Sequence, residues 1–222
     1  MLANTPACFE PALDYVVTKL PRFPFDKFTL ASNRLSTQMK ATGEVMSVGR
    51  TMEESLLKAI RSLEVGHTHL HMAKFDKEHM TVDDLLAYIK EGTDDRLYAI
   101  SQLMWMGVDH SRICSITGID MFFLDKVKHI VDFEKELEPG IVSPELLREA
   151  KRWGFSDAYI AELWKMTEDE VCALRKQYGI QPVYKMIDTC AGEFDSYVPY
   201  FYSTYETENE SIVSDKPKII VL

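Results

Sequence analysis

The sequence lacks the glycine patterns that cradle phosphates. Neither GxGxxG nor a P-loop GxxxxGKS/T occurs, and the 10 glycines are dispersed at turns and helix ends. It lacks paired cysteines. The 4 present, Cys8, Cys114, Cys172 and Cys190, form no CxxC, which predicts reduced thiols in a cytoplasmic protein. No apolar run approaches the roughly 20 residues that a helix needs to cross a bilayer. MLANTPACFEPALDYV has no basic stretch followed by an apolar one, so no signal peptide is expected. Basic residues are in the minority: 25 Lys and Arg stand against 35 Asp and Glu, a net charge of −10. That argues against nucleic acid as a partner, because phosphate binding needs clustered cations. No Ser-His-Asp or Cys-His constellation can be argued from the scattered candidates.

What is present is a soluble, globular composition, 46% hydrophobic and 27% charged over 222 residues, enough for one to two domains. The chain is organised around Thr37 to Gly66, TQMKATGEVMSVGRTMEESLLKAIRSLEVG. Gly43-Glu44 leads into a short apolar strand, Val45-Met46-Ser47-Val48, then a turn at Gly49-Arg50 and a helix. Thr51 is the expected N-cap, with Glu54 completing a capping box. Leu56, Leu57, Ile60 and Leu63 recur at helical spacing, and Gly66 is the expected stop. A strand and helix this short cannot close a core, so they read as the last pieces of a larger sheet domain.

Upstream, Asp14 to Leu20 is β-branched and aromatic and predicts a strand. Pro21 and Pro24 should end it, since proline cannot continue a ladder. Phe23, Phe25 and Phe28 are expected to plug the floor of a domain. Downstream, HTHLHMAKFDKEHM is histidine-rich without a period and reads as a linker.

From Thr81 to about Tyr178 the pattern is helical throughout. Thr81 with Asp84, Asp94 or Asp95, Asp109, Asp120, Ser143-Pro144, Ser156, and Thr167 with Glu170 mark successive helix starts. Gly107, Gly118 and Pro139-Gly140 mark stops. A repeat is hidden here. Gly107, Asp109, Ile113, Ile116, Ile119, Asp120, Leu124 and Val127 align with Gly154, Ser156, Ile160, Leu163, Met166, Thr167, Val171 and Leu174, each pair 47 residues apart. Two such units suit an all-α domain in which each covers the other's apolar face. After Gln181 a strand is predicted over Val183–Ile187, followed by an aromatic run, Tyr197 to Tyr205, and the acidic loop ETENESIVSDKPK. The closing run Lys218-Ile219-Ile220-Val221-Leu222 has the character of a central parallel strand, after which a phosphate loop would normally follow.

Three groups raise chemistry. His67, His69 and His71 alternate and could share a face as metal ligands, or be a solvated linker. The helix–turn–helix units could read DNA, but the first turn after Thr167 carries Glu168, Asp169 and Glu170, which would repel phosphates. Glu44 is equally a buried functional carboxylate or an exposed turn residue. Trp105, Met106, Phe122, Phe123, Trp153 and Trp164 exceed what small helices need, so some should face a partner.

FEPALDYVVTKLPRFPFDKF, TQMKATGEVMSVGRTMEESLLKAIRSLEVG, and QPVYKMIDTCAGEF with YFYSTYE resemble, in order and spacing, the large chain of carbamoyl-phosphate synthase (glutamine-hydrolysing). TGEVM alone occurs in other ATP-grasp enzymes; the combination is specific. The resemblance covers essentially the whole chain and is weaker through the helical middle. HTHLHMAKFD matches no pattern of the family.

The resemblance implies a mainly α fold, an all-helical oligomerisation domain flanked by short β/α remnants of two ATP-grasp-type halves. Residues 1–66 would be the tail of the carboxyphosphate synthetic domain, 67–215 the oligomerisation domain, and 216–222 the first strand of the carbamoyl phosphate synthetic domain. It implies a cytoplasmic ligase that makes carbamoyl phosphate from bicarbonate, glutamine-derived ammonia and two ATP, for pyrimidine and arginine biosynthesis. The piece itself is expected to be an inactive linker between the ATP-using halves. ATP, Mg (or Mn) and K would belong to the intact enzyme, with no cofactor in this fragment. No catalytic, cofactor-binding or metal residue carries over; Met39 and Glu44 resemble positions along the family's carbamate tunnel. The implied partners are the rest of the large chain, the glutaminase small chain and a second copy through the helical domain, with no nucleic acid and no membrane. The alternative is an independent all-α helix–turn–helix binding module.

Overall fold

In a computed structural model, residues 8–137, 140–194 and 200–219 are described. Two strands, β1 (Val16–Arg22) and β2 (Gly43–Gly49), pair antiparallel, Thr18 opposite Ser47 and Leu20 opposite Val45. β1 starts two residues later than the sequence suggests and runs through Pro21, which pairs with Glu44. Proline is tolerated there because this is the end of a strand in a two-stranded sheet, where half the N–H groups have no ladder partner. Phe23, Phe25 and Phe28 do not plug a floor. Phe23 and Phe25 stack on each other, half-buried, and Phe28 is exposed.

β2 turns directly into α1 (Met52–Ser62), which packs on the sheet. Thr51 caps it, its hydroxyl accepting from the Glu54 N–H. The expected capping box is only half made: the Glu54 carboxylate reaches past Thr51 and accepts from the Arg50 N–H at 2.7 Å. The helix also ends before Gly66. Leu63 is its C-cap, and Glu64 already has φ +51°.

The histidine-rich segment is not a solvated linker. Leu70, Phe75 and His69 are buried, and a 3-10 turn at Ala73–Phe75 presses Phe75 into the core. Helices α2 (Val82–Tyr88), α3 (Arg96–Trp105), α4 (His110–Thr117), α5 (Met121–Leu137), α6 (Pro144–Arg152), α7 (Asp157–Trp164) and α8 (Glu168–Gln177) follow. Their starts fall where the caps predict. Thr81 with Asp84 and Thr167 with Glu170 form complete capping boxes, and Ser143, Ser156 and Asp109 cap through their side chains. Asp95 is the exception. It stands at the N-cap of α3, yet its carboxylate turns inward to Lys74, Tyr88 and Thr93.

The 47-residue repeat is visible in the backbone. At the end of α3, the Gly107 N–H donates to Met104 and the Val108 N–H to Leu103; at the end of α6, Gly154 donates to Lys151 and Phe155 to Ala150. Ile113 and Ile160 are fully buried at matching places, as are Leu124 and Val171. The repeat therefore includes the end of the preceding helix: α3–α4–α5 and α6–α7–α8 are equivalent units. They meet where α5 packs on α7, and Leu56, Leu57 and Ile60 of α1 belong to the same apolar cluster.

A second antiparallel pair, β3 (Val183–Met186) and β4 (Phe201–Thr204), follows the helices, with Lys185 opposite Tyr202. β4 lies against β2. The Lys58 ammonium staples them, donating to the Val48 carbonyl at 2.9 Å and to that of Ser203. Residues 206–219 carry no strand; the rest of the expected terminal strand, Ile220–Leu222, lies outside the described residues, as do Tyr197–Pro199 of the aromatic run. The described chain is mainly α, with two small two-stranded sheets.

Candidate functional site

The two positions singled out by resemblance are both at the surface. Met39 is 92% exposed in the segment before β2. The Glu44 side chain, 59% exposed, pairs with Lys19 across the ladder at 2.9 Å. The open choice at Glu44 thus falls to the exposed reading within this chain. Met39 and Glu44 border the same strand entry and converge on no buried polar group.

The buried polar chemistry lies one turn further on. The side chains of Thr18, Ser47 and Ser55 meet between the first sheet and α1. Ser55 Oγ donates to Thr18 Oγ1 at 2.7 Å, and Ser47 Oγ to the Ser55 carbonyl at 2.6 Å. Beside them Glu54 is buried and spans three elements. Its Oε1 pairs with Lys58 at 2.8 Å, and its Oε2 accepts from the Arg50 N–H and from Thr204 Oγ1, 3.1 Å away in β4. Sequence reasoning named Glu54 only as a cap; nothing local announces a partner 150 residues away. A second buried cluster ties α6, α7 and α8 together. Asp157 accepts from Lys151 at 2.7 Å and from Arg175 at 3.0 Å. Burial pushes the Asp157 carboxyl up, but the two cations outweigh it and hold it below the usual range. Burial depresses Lys151, with Asp157 opposing.

The three alternating histidines do not share a site. His67 lies beside the Tyr98 ring, and His71 pairs with Asp76 at 2.8 Å. His69, 3% exposed, stacks on Tyr159 with ring centroids 3.8 Å apart. Its Nε2 is 3.4 Å from Glu134, whose carboxylate also accepts from the Tyr159 hydroxyl. Burial lowers the His69 pKa, partly offset by Glu134. Among the described residues no three His, Cys, Asp or Glu side chains gather to hold a metal. Leu70, Met72 and Phe75 were the signal that this segment is core, since a solvated linker has no use for apolar residues at that density.

The outer surface has more to offer. On the first sheet Val17 and Met46 face out; on the second, Tyr184, Met186 and Phe201 do. On the helical body Phe122 and Phe123, 53% and 49% exposed, pack edge to face at the start of α5. Of the other large residues flagged by sequence, Trp164 is buried, with its Nε1–H donating to the Leu137 carbonyl. Trp105, Met106 and Trp153 are half-buried.

The family model described as "Carbamoyl-phosphate synthetase large chain, oligomerisation domain" matches residues 44–179, well over half of the sequence. The chain belongs to this family. The match opens inside β2 and closes two residues after α8, so the matched residues take in α1 and both repeat units. β1 and the β3–β4 hairpin lie outside the matched residues, yet Glu54 and Lys58 bond directly to β4. Among the described residues no helix is long and apolar enough to cross a membrane. The first turn of α8, where a recognition helix would meet DNA, carries three acidic residues.

Proposed function

We propose that this chain is the architectural segment of a carbamoyl-phosphate synthase large chain. It holds two ATP-grasp-type halves at a fixed spacing and associates with a second copy of itself. In this reading residues 1–66 continue an upstream carboxyphosphate synthetic domain, 67–215 form the oligomerisation domain, and 216–222 lead into the carbamoyl phosphate synthetic domain. ATP, Mg or Mn, K and the tunnel roles of Met39 and Glu44 belong to the assembled enzyme, which uses bicarbonate and ammonia from a glutaminase small chain, in the cytoplasm, for pyrimidine and arginine synthesis.

The observation that supports this reading most is the pair of outward apolar sheet faces. Val17 and Met46 on one hairpin, and Tyr184, Met186 and Phe201 on the other, sit outside or at the edge of the matched body. Apolar side chains clustered on strands are normally covered, and here the covering polypeptide would be the flanking halves. The exposed setting of Met39 and Glu44 fits the same idea, since a tunnel wall needs the neighbouring half to close it.

The test is an assay of the isolated chain with ATP, Mg and bicarbonate, alongside sedimentation over a concentration series. Phosphate release should stay at background, and the mass should rise above the 25.5 kDa of one chain. Bicarbonate-dependent ATP hydrolysis by this chain would overturn the assignment.

A further inference from the structure

We infer that the pocket between the histidine-rich segment, α3, α5 and α7 binds a small organic ammonium, a primary amine with a short apolar body. This goes beyond the architectural reading and does not depend on it. The pocket has a volume of about 240 Å³ and takes its walls from both repeat units. Glu134 of α5 lines it, yet that side chain is only 9% exposed. A buried carboxylate normally has a cation beside it. Among the described residues no lysine or arginine pairs with Glu134. One oxygen, Oε1, accepts from the Tyr159 hydroxyl. The other has only His69 Nε2, 3.4 Å away and in no hydrogen bond, and burial disfavours the charged form of that ring. Ser101 is a second group left over. It is 4% exposed and lines the same pocket, and its hydroxyl has no partner among the described residues. A serine inside a helix can bond back to the carbonyl four residues earlier; here the hydroxyl is left for an occupant.

Charge and shape select the ligand class. With Glu134, the rim residues Asp76, Glu78 and Glu162 set four carboxylates against the one ammonium of Lys77. Even with Asp76 set aside, because it pairs with His71 at 2.8 Å, the balance stays negative. An anion would be repelled, and a neutral molecule would leave Glu134 without a countercharge. An ammonium carries three donors and no acceptor, and Glu134, Ser101 and the Gln102 amide line the pocket as acceptors for them. A bare metal ion suits the pocket less. Among the described residues no three His, Cys, Asp or Glu side chains gather to hold one, and Leu70, Trp105 and Leu163 give the remaining wall the apolar character that a carbon skeleton needs.

The experiment is calorimetric titration of the whole chain at neutral pH with benzylamine, an ammonium there, and with benzyl alcohol, its uncharged counterpart. Benzylamine should bind at one site per chain in the millimolar range, and benzyl alcohol at least about tenfold more weakly. Glu134→Gln, shown to be folded by circular dichroism, should bring benzylamine down to the level of the alcohol. If that variant does not fold, the wild type supplies the second readout. The Trp105 indole N–H resonance, assigned by its loss in Trp105→Phe, should move on addition of benzylamine while that of Trp153 stays in place. A folded Glu134→Gln that binds benzylamine like the wild type, equal binding of the alcohol, an unmoved Trp105 signal, or no binding at all overturns the assignment. Each of these leaves the architectural reading standing, since that reading is judged by ATP hydrolysis and mass.

Discussion

Gly154 and Glu54 are in backbone contact: a Cβ on Gly154 would stand 2.8 Å from the Glu54 Cα. The turn between the second unit's helices is thereby seated on the first turn of α1, and Arg61 of α1 completes the seat by donating to the Gly154 carbonyl at 2.6 Å. Gly154 also has φ +91°. Its counterpart Gly107 has φ +85° but nothing within 4 Å of a Cβ. The repeat thus supplies its own control. G107A should cost about 1 kcal/mol, the left-handed backbone penalty alone. G154A should cost about 2–4 kcal/mol, since the overlap with backbone adds to that penalty. Urea unfolding of the two variants, compared at unchanged m-value, measures the difference.

The same contact shows what could be read in advance. Helix starts were legible because capping is local chemistry: Thr81, Asp109, Ser143, Ser156 and Thr167 each satisfy an N–H two or three residues on. The repeat was legible because equivalent helices need equivalent apolar positions. What escaped was whatever depends on distant partners. Glu54 looked like a cap until β4 supplied Thr204, and Asp95 looked like a cap while its carboxylate served Lys74 and Tyr88. His69 escaped because its aromatic neighbours Phe155 and Tyr159, some 90 residues downstream, leave no mark in HTHLHM. Phe23, Phe25 and Phe28 erred the other way: hydrophobicity predicts burial, but not whether this chain provides the cover.

Glu54→Gln should loosen the joint between the helical body and the second hairpin. The amide has one acceptor oxygen where the carboxylate has two, so either Lys58 or the Arg50 and Thr204 donors lose their partner in a buried setting. The expected cost is about 1–3 kcal/mol. Amide hydrogen exchange should rise in β3 and β4 more than in α4 or α5. Uniform acceleration across all helices would instead point to a global loss of packing and contradict the joint.

At the α6–α7–α8 cluster the two halves of an ion pair are not equivalent. Lys151→Met leaves Asp157 still paired with Arg175 at 3.0 Å, so the expected loss is about 1–2 kcal/mol. Asp157→Asn leaves Lys151 and Arg175 facing each other without an anion, and the expected loss is about 3–5 kcal/mol. Because the folded carboxyl sits below its unfolded value of about 3.9, its contribution is complete above that pH and is lost as pH falls toward the folded pKa. Thermal melts of both variants at neutral pH, and of the wild type below pH 4, check the order and the sign.

His69 makes stability depend on pH in a milder range. Its folded pKa is lowered by burial, so the unfolded chain, titrating near 6.5, takes up the proton first. Acidification therefore favours unfolding: the contribution of neutral His69 is full above about pH 6.5 and is lost as pH falls toward the folded value. The neighbours act in both directions. Glu134 draws the proton in, Arg61 and His71 resist it, and the Tyr159 hydroxyl already occupies the Glu134 carboxylate. Protonation would also place a charge on a buried ring that rests against Phe155 and Tyr159. His69→Phe keeps the stack and removes the titration. The difference in unfolding free energy between wild type and H69F should therefore shift against the wild type as pH is taken from 7.5 to about 5. A difference that is flat over that interval would mean that His69 keeps its solution pKa despite its burial.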